Sequence, residues 1–594
     1  MYHKSNNSGY SVLSLFITAI FTLILAGCGG GGGGGTSTGT TAQNISGLAA
    51  MGGPMAYASI KVKSLKDSTS QTYTALSDGT FTVQPGVVTY PAVVTVVSQN
   101  GQYTHYGYID SATQATVAVN PITTMQLTFA SQADPSTLMT PLSTTQINNG
   151  QAESLAVLNN VVTSVSGVNT TQSFLTQNFP TNHTGSDEVL DNVEITIQPS
   201  GNLTVANKIS GARESIVPNA PSVTALPFTP AEITNNQPAI TACSNFLGGL
   251  NSSTIVNSAN FDAGFLEAGM NQAAYSSYMT QITSLAGASF NITNPVFKGL
   301  DGNGNYLFGV TLANSTNPKA AISDLDITTK VVSNQCVMVG DQFPWEITIQ
   351  PAIKQLLRED GTAGYQISPP VSGIEVQIAN TTNTYQGLTF LSARADVCSS
   401  ANVCNLLSTL SMSTSGQLTV DAGTNVYPNV NLVPNPAFDI LSDNLNPVRI
   451  TFFSTATAPT TGSTGQVGTP LTTRSSAAAF TNAEFANIAA SMPSITNVAQ
   501  VLPNAISNPT LNFNSGGTST VISTVGFYSA NSGYTLQNSA SALILNSGIF
   551  SSTTQFTDVA SPYYKSLDLS AHINGRPGMI ETKYIWAPTC AGCY

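Results

Sequence analysis

The stretch ASIKVKSLKDSTSQTYTALSDGTFTV, residues 58–83, decides the fold class. Apolar and polar side chains alternate at Ala58, Ser59, Ile60, Lys61 and Val62, and again at Thr80, Phe81, Thr82 and Val83. A period of two sends successive side chains to opposite faces, so each run reads as a strand with one buried face. Ser77-Asp78-Gly79 between them is a turn signal. YPAVVTVVSQNGQYTHYGYI, residues 90–109, supplies further strand-like runs. Short strands at close spacing, separated by turns, pack as a β-sandwich.

Working outward, GGPMAYASIKV (52–62), SDGTFTV and YPAVVTVV (90–97) follow one another in an order and spacing that resembles the carboxypeptidase regulatory-like, or transthyretin-like, domain. The resemblance spans residues 44–130 and implies an accessory β-sandwich with no catalytic residues. AVNPITTM (118–125) resembles the segment that closes such a domain in proteobacterial surface lipoproteins and leads into a helix. Beyond it, Ala152, Leu155, Leu158, Val161, Val162 and Val165 fall on one helical face. Val193, Ile195 and Ile197, a Pro199-Ser200-Gly201 turn, then Leu203 and Val205 read as a β-hairpin. Residues 131–209 are thus expected as a helix and hairpin connector. Residues 210–238, rich in Pro and Asn, are expected as a linker.

Upstream, LILAGCGGGGGGG (23–35) ends an apolar run that starts at Val12. That run is shorter than the roughly 20 apolar residues a membrane span needs and reads as a secretory signal core. Leu25-Ala26-Gly27-Cys28 resembles a bacterial lipobox. The resemblance implies a signal peptide over 1–27, cleavage before Cys28, and acyl chains on Cys28 that anchor the protein in a membrane. Glycine-rich chain is a flexible coil, so residues 28–43 are expected to tether the body to that anchor. Gly29 stands where an inner-membrane retention aspartate would stand, which favours an outer-membrane lipoprotein by analogy.

Composition fits an exported protein. Asp, Glu, Lys and Arg make up 8% of the 594 residues, against about 25% in an average soluble protein. Lys and Arg number 17 and Asp and Glu 29; removing Lys4 with the signal leaves 16 against 29, a net charge of −13. Nucleic-acid binding needs a basic face, and none is present in the sequence. Of seven cysteines, lipid would take Cys28. An even remainder, Cys243, Cys336, Cys398, Cys404, Cys590 and Cys593, suggests disulfides. Proximity favours Cys398–Cys404 and Cys590–Cys593, which leaves Cys243–Cys336.

In residues 239–358, helical patterns come first: ITACSNFLGGL, then MNQAAYSSYMTQITSLAG, where Tyr275, Tyr278, Met279, Ile282 and Leu285 share a face. Strand-like runs follow, YLFGVTLA, DLDITTKVV and CVMVGDQFPWEITIQPAIKQL. The order predicts an α+β module. It resembles the cystatin-like cone of the nuclear transport factor two family, whose members often have a pocket. Residues 359–594 read as β-rich, with one or two immunoglobulin-like β-sandwiches. The whole is expected to be mainly β and multidomain.

Catalytic signatures are weak. His105, His183 and His572 are far apart in sequence, and no HExxH motif occurs. The G-x-S-x-G match at Gly35–Gly39 falls in the tether, where no strand-to-helix turn can form. Asp301-Gly302-Asn303-Gly304-Asn305 lacks the sixth-position glycine and twelfth-position glutamate of an EF-hand, and reads as a turn. Asp341 and Glu346 are acids that could pair, yet nothing in the sequence fixes their separation. No metal or cofactor is expected. The sequence supports a non-catalytic, lipid-anchored envelope protein that binds or organises a polysaccharide or a protein. Tyr103, Tyr106 and Tyr108 are the candidate sugar-stacking faces; cross-strand packing is their alternative use. An exported hydrolase with its site near Trp345, and a purely structural spacer, are the competing readings.

Overall fold

The computed structural model describes residues 43–586 apart from internal stretches, the longest being 359–366, 421–431 and 435–446. The protein is mainly β and multidomain, with several β-sandwich-like sheets. Among the described residues no helix is long and apolar enough to cross a membrane.

The decisive stretch forms strands Ser59–Ser64, Ser70–Thr74 and Thr80–Val83. They are divided between two sheets. One has the order Ser70–Thr74, Ser59–Ser64, Ala92–Val97, Thr104–Ile109. The other has Thr80–Val83, Ile45–Ala49, Thr116–Val119. Alternation carries the packing: Ile60, Val62, Phe81, Val83, Val94 and Val96 all face one core.

Helix α1 (Pro121–Ser131) leaves the last strand of the sandwich without a linker. Asn120 accepts the N–H of Thr123 while Thr123 accepts that of Asn120, a reciprocal cap, and Pro121 needs no donor at that position. Almost every α1 residue is buried, because sandwich and connector pack on opposite sides of it. Helix α2 (Thr144–Val162) packs along it through Gly150, Ser154, Val157, Leu158, Val161 and Val162. Leu158, Val161, Val162 and Val165 of the predicted face are buried and Leu155 packs against the same core, while Ala152 is exposed and Gly150 and Ser154 widen the buried face towards α1. Close helix contact is the reason: a Cβ on Gly150 would lie 2.4 Å from the carbonyl oxygen of Gln126.

The hairpin forms as Val193–Ile197 against Leu203–Asn207. A third strand, Arg213–Ile216, extends it. Residues 210–238 therefore hold that strand and the first half of helix α4 (Pro230–Gly248), where the sequence suggested a linker. The short helix α3 (Ser186–Asn192) precedes the hairpin.

In the central module, α4 and helix α5 (Gln272–Ala286) share a core with a four-stranded antiparallel sheet spanning Phe290–Leu300 to Gln335–Met338. Tyr275, Met279 and Ile282 of the predicted α5 face are buried in it. Cys243 of α4 is disulfide-bonded to Cys336 on the last strand of that sheet. Contacts among the described residues hold this module to the sandwich. Asn294 accepts the N–H of Ala56, Val296 enters the sandwich core, and Gln99 donates to the carbonyl of Pro318.

The C-terminal region has two main cores joined by one twelve-stranded sheet. Strand Glu346–Arg358 lies near its middle, antiparallel to Ile367–Ala379 and parallel to Arg576–Trp586. Ile349 belongs to one core and Ile353 to the other. Cys398 and Cys404 sit opposite each other on adjacent strands and are disulfide-bonded.

Candidate functional site

Tyr108 offers no stacking face to a ligand, and Tyr103 and Tyr106 are half-buried. Tyr108 is 1% exposed, and its hydroxyl accepts the N–H of Leu142 at 3.0 Å. Tyr106 packs in the same small core, against Leu127, Leu142 and Leu175. Tyr103 leans on the sandwich core. Helix α1 and the chain after it cover the sheet face that the sequence left open, so cross-strand and helix packing is what this alternation serves. Cys28, Cys590 and Cys593 lie outside the described residues.

Two loops at the end of the central module bring carboxylates together. Residues 262–270 and 339–345 interlock through backbone bonds: Leu266 to Val339 at 3.1 Å, Gln342 to Leu266 at 2.9 Å, Gly269 to Phe343 at 2.8 Å. Gly340 takes a φ of +74°, and a Cβ there would sit 2.1 Å from the Leu266 carbonyl oxygen. Only glycine fits that approach. Each loop then supplies an acid that holds the other's backbone. Glu267 Oε2 accepts the Asp341 N–H at 2.9 Å. Asp341 Oδ1 accepts the N–H of Ala268 at 3.0 Å and that of Phe343 at 2.8 Å.

Burial and the nearby Asp341 push Glu267 well above the usual carboxylate range. Burial pushes Asp341 up to about 6, against the pull of its two N–H donors, and Glu346 adds to the rise. The pair therefore retains a proton into the weakly acidic range. The sequence named Asp341 and Glu346 but missed Glu267, whose contact with Asp341 spans 74 residues. No local pattern signals a contact of that length.

A folded-state pKa above the unfolded value means the folded protein binds the proton more tightly. Stability is then greatest at low pH and falls as pH rises from about 4 through about 6. Asp341→Asn keeps the amide-accepting oxygen and removes the charge. Thermal unfolding from pH 4 to 7 should show the wild type losing a few degrees relative to the variant. Parallel curves would remove Asp341 as the titrating group.

Trp345 is 6% exposed and packs on Tyr385, Phe390 and Phe452, with ring centroids 5.5, 5.2 and 5.2 Å away. It anchors a core. His183 Nδ1 lies 2.9 Å from Asp191 Oδ2. His105 is buried, and desolvation, helped by the charge of Lys208, holds it down at about 3. His572 lies on strand Tyr564–Ile573, opposite Val521. In the Asp301 turn, Oδ1 accepts the N–H groups of Asn303 and Asn305, each at 2.8 Å, and Oδ2 accepts the Asn305 amide. Those oxygens serve a turn. Among the described residues no group of three or more His, Cys, Asp or Glu side chains is placed to hold a metal ion.

No protein-family model matches the chain. No curated protein matches it. Among solved structures, it has a likeness to the FN1-FN3 domains of chicken CNTN1, at 9% identity and a TM-score of 0.13. That match covers 50% of this chain and 98% of the other.

Proposed function

We propose that this chain is a lipid-anchored outer-membrane protein whose β-rich body binds or organises a polysaccharide or protein partner without catalysing a reaction. One observation carries the reading: the acids best suited to chemistry are engaged as braces. Glu267 and Asp341 spend oxygens on each other's loop backbone. Asp191 holds His183 and Gln237. An acid–base catalyst must instead reach the proton it moves in a bound substrate. The lipobox resemblance at Cys28 and the glycine-rich segment behind it support an anchored, displayed body.

The anchor is tested by labelling producing cells with radioactive palmitate. Label should enter the wild type and be absent from Cys28→Ala, which should also leave the membrane fraction. Unlabelled wild type would end the lipoprotein reading. The binding role is tested by cross-linking intact cells and capturing the protein. Reproducible recovery of one glycan or one envelope protein supports it; recovery of this chain alone favours a spacer.

A further inference from the structure

Helix α4 belongs to two bodies. Ile233, near its start, lies in the connector core; Ile240, Cys243 and Leu247 lie in the core of the central module. Pro238 interrupts it between those halves. Proline has no N–H, so the carbonyl of Thr234 loses its helical partner and the helix is weakened at that turn. The residue before the proline is gripped from the side. Gln237 Nε2 donates to Asp191 Oδ2 at 2.6 Å, and Gln237 Oε1 accepts from Asn192 Nδ2 at 2.8 Å. Asp191 and Asn192 end α3, which is buried against α4, α2 and strands Phe290–Leu300 and Val193–Ile197.

The grip sits in a buried charge cluster. Asp187 lies one helical turn before Asp191; its Oδ2 accepts the His183 N–H at 2.7 Å, and its Oδ1 is buried without a hydrogen-bond partner. The His183 ring lies against Asp191. Lys208 is 4% exposed and donates to the carbonyl of Leu190 at 3.0 Å, with Glu194 at 3.8 Å. From the sandwich come His105, whose buried Nε2 also has no hydrogen-bond partner, and Gly52, where a Cβ would lie 2.6 Å from Asp191 Oδ1. The remaining charged groups on the packed elements are Glu188 on α3, Glu153 on α2, Glu232 on α4, and Lys298, which is paired with Asp326. Three carboxylates, Asp187, Asp191 and Glu194, thus face one lysine and one titrating histidine. Charge is nearly balanced when His183 and Asp187 carry protons and strongly negative when they do not.

We propose that α3 is a pH-sensitive latch on α4: with the cluster protonated it clamps the helix beside its proline, and on deprotonation it frees the helix there, while Asn294, Val296 and Gln99 still hold the central module to the sandwich. The direction follows from linkage. Burial and Asp191 push Asp187 up to about 7. Burial lowers His183, but the bond and charge of Asp191 and the charge of Asp187 override it and raise it. Both groups bind protons more tightly in the closed state, so the clamp weakens as pH rises through about 7. His105 acts oppositely. It stays neutral when buried, and opening lets it take a proton below about 6.5. It offsets the gain from the other two on the acid side, and Lys208, which burial lowers against the pull of Glu194, Asp191 and Asp187, acts in the same sense on the alkaline side.

Hydrogen–deuterium exchange of the full chain at pH 6 and pH 8, corrected for intrinsic rates and read on peptides covering 230–248, tests this. One proton linked to opening gives up to roughly tenfold per pH unit, so the wild type should exchange about tenfold faster at pH 8. Asp187→Asn keeps an oxygen for the His183 N–H and should exchange slowly at pH 6, with a smaller rise at pH 8 than the wild type because only His183 still titrates. His183→Gln should exchange faster than the wild type at pH 6 and keep a smaller rise to pH 8, carried by Asp187. Equal wild-type protection at the two values overturns the latch, with or without a folded variant. So does an Asp187→Asn protein that keeps the full difference.

Discussion

Replacing Cys243 and Cys336 together by serine is expected to destabilise the central module by about 4 kcal/mol. The bridge closes a loop of 93 residues. A cross-link removes freedom from the unfolded chain in proportion to the logarithm of that length, which gives about 4–5 kcal/mol before native strain is counted. Calorimetry on the full chain should show the transition assigned to residues 239–345 shifted down, with the others held. The Cys398–Cys404 bridge separates its ends by 6 residues. Its removal should cost about 2 kcal/mol on the same relation. Equal losses from the two would show that loop length is not what matters here.

Lys354→Met carries the second large effect. Lys354 lies on the strand at the middle of the twelve-stranded sheet, between Glu375 Oε1 at 2.7 Å and Glu581 Oε2 at 3.0 Å on its two neighbours. Gln350 donates to the other oxygen of Glu375 at 2.7 Å. Burial alone would lower the ammonium's pKa; the two glutamates override it and raise it. Removing the cation leaves two carboxylates in a site built for a triad. Breaking a buried pair in this way costs about 3–5 kcal/mol. The loss should shrink as pH falls towards 4, because both acids can then protonate, and should largely vanish when Glu375→Gln and Glu581→Gln are added. Urea unfolding of the three proteins at pH 7 and pH 4.5 checks both. A Lys354→Met protein as stable as the wild type at pH 7 would show that water, not the lysine, compensates the acids.

The sandwich was legible because its strands alternate and its turns carry glycine. The full width of the α2 face was less so. Gly150 and Ser154 are buried for close approach rather than hydrophobicity, and a count of apolar residues cannot see that. The same limit explains Tyr106 and Tyr108. Their strand pattern states that one face is apolar, not whether a sugar or a helix covers it. Arg213–Ile216 was hidden in a Pro- and Asn-rich stretch because it is short and gains its place by pairing with the hairpin. The Glu267–Asp341 pair joins segments distant in sequence, and the cluster around Lys208 adds the distant His105 and Gln237 to residues 183–208; local periodicity cannot see those joins. The Cys243–Cys336 pairing was legible by elimination, because the near pairs were easier to assign.

The parallel pairing of Glu346–Arg358 with Arg576–Trp586 has a mechanical consequence. Register runs from Ala352 opposite Met579 to Arg358 opposite Ile585. The first of these strands leads in from the N-terminal half, and the second is the last described strand of the chain. In parallel strands, the leading end of one and the trailing end of the other lie at opposite ends of the pair. Tension applied between the N-terminal half and residue 586 would therefore pull along the strands. The hydrogen bonds between them would be loaded in shear, sharing the force, instead of opening one after another as they do when a hairpin is unzipped.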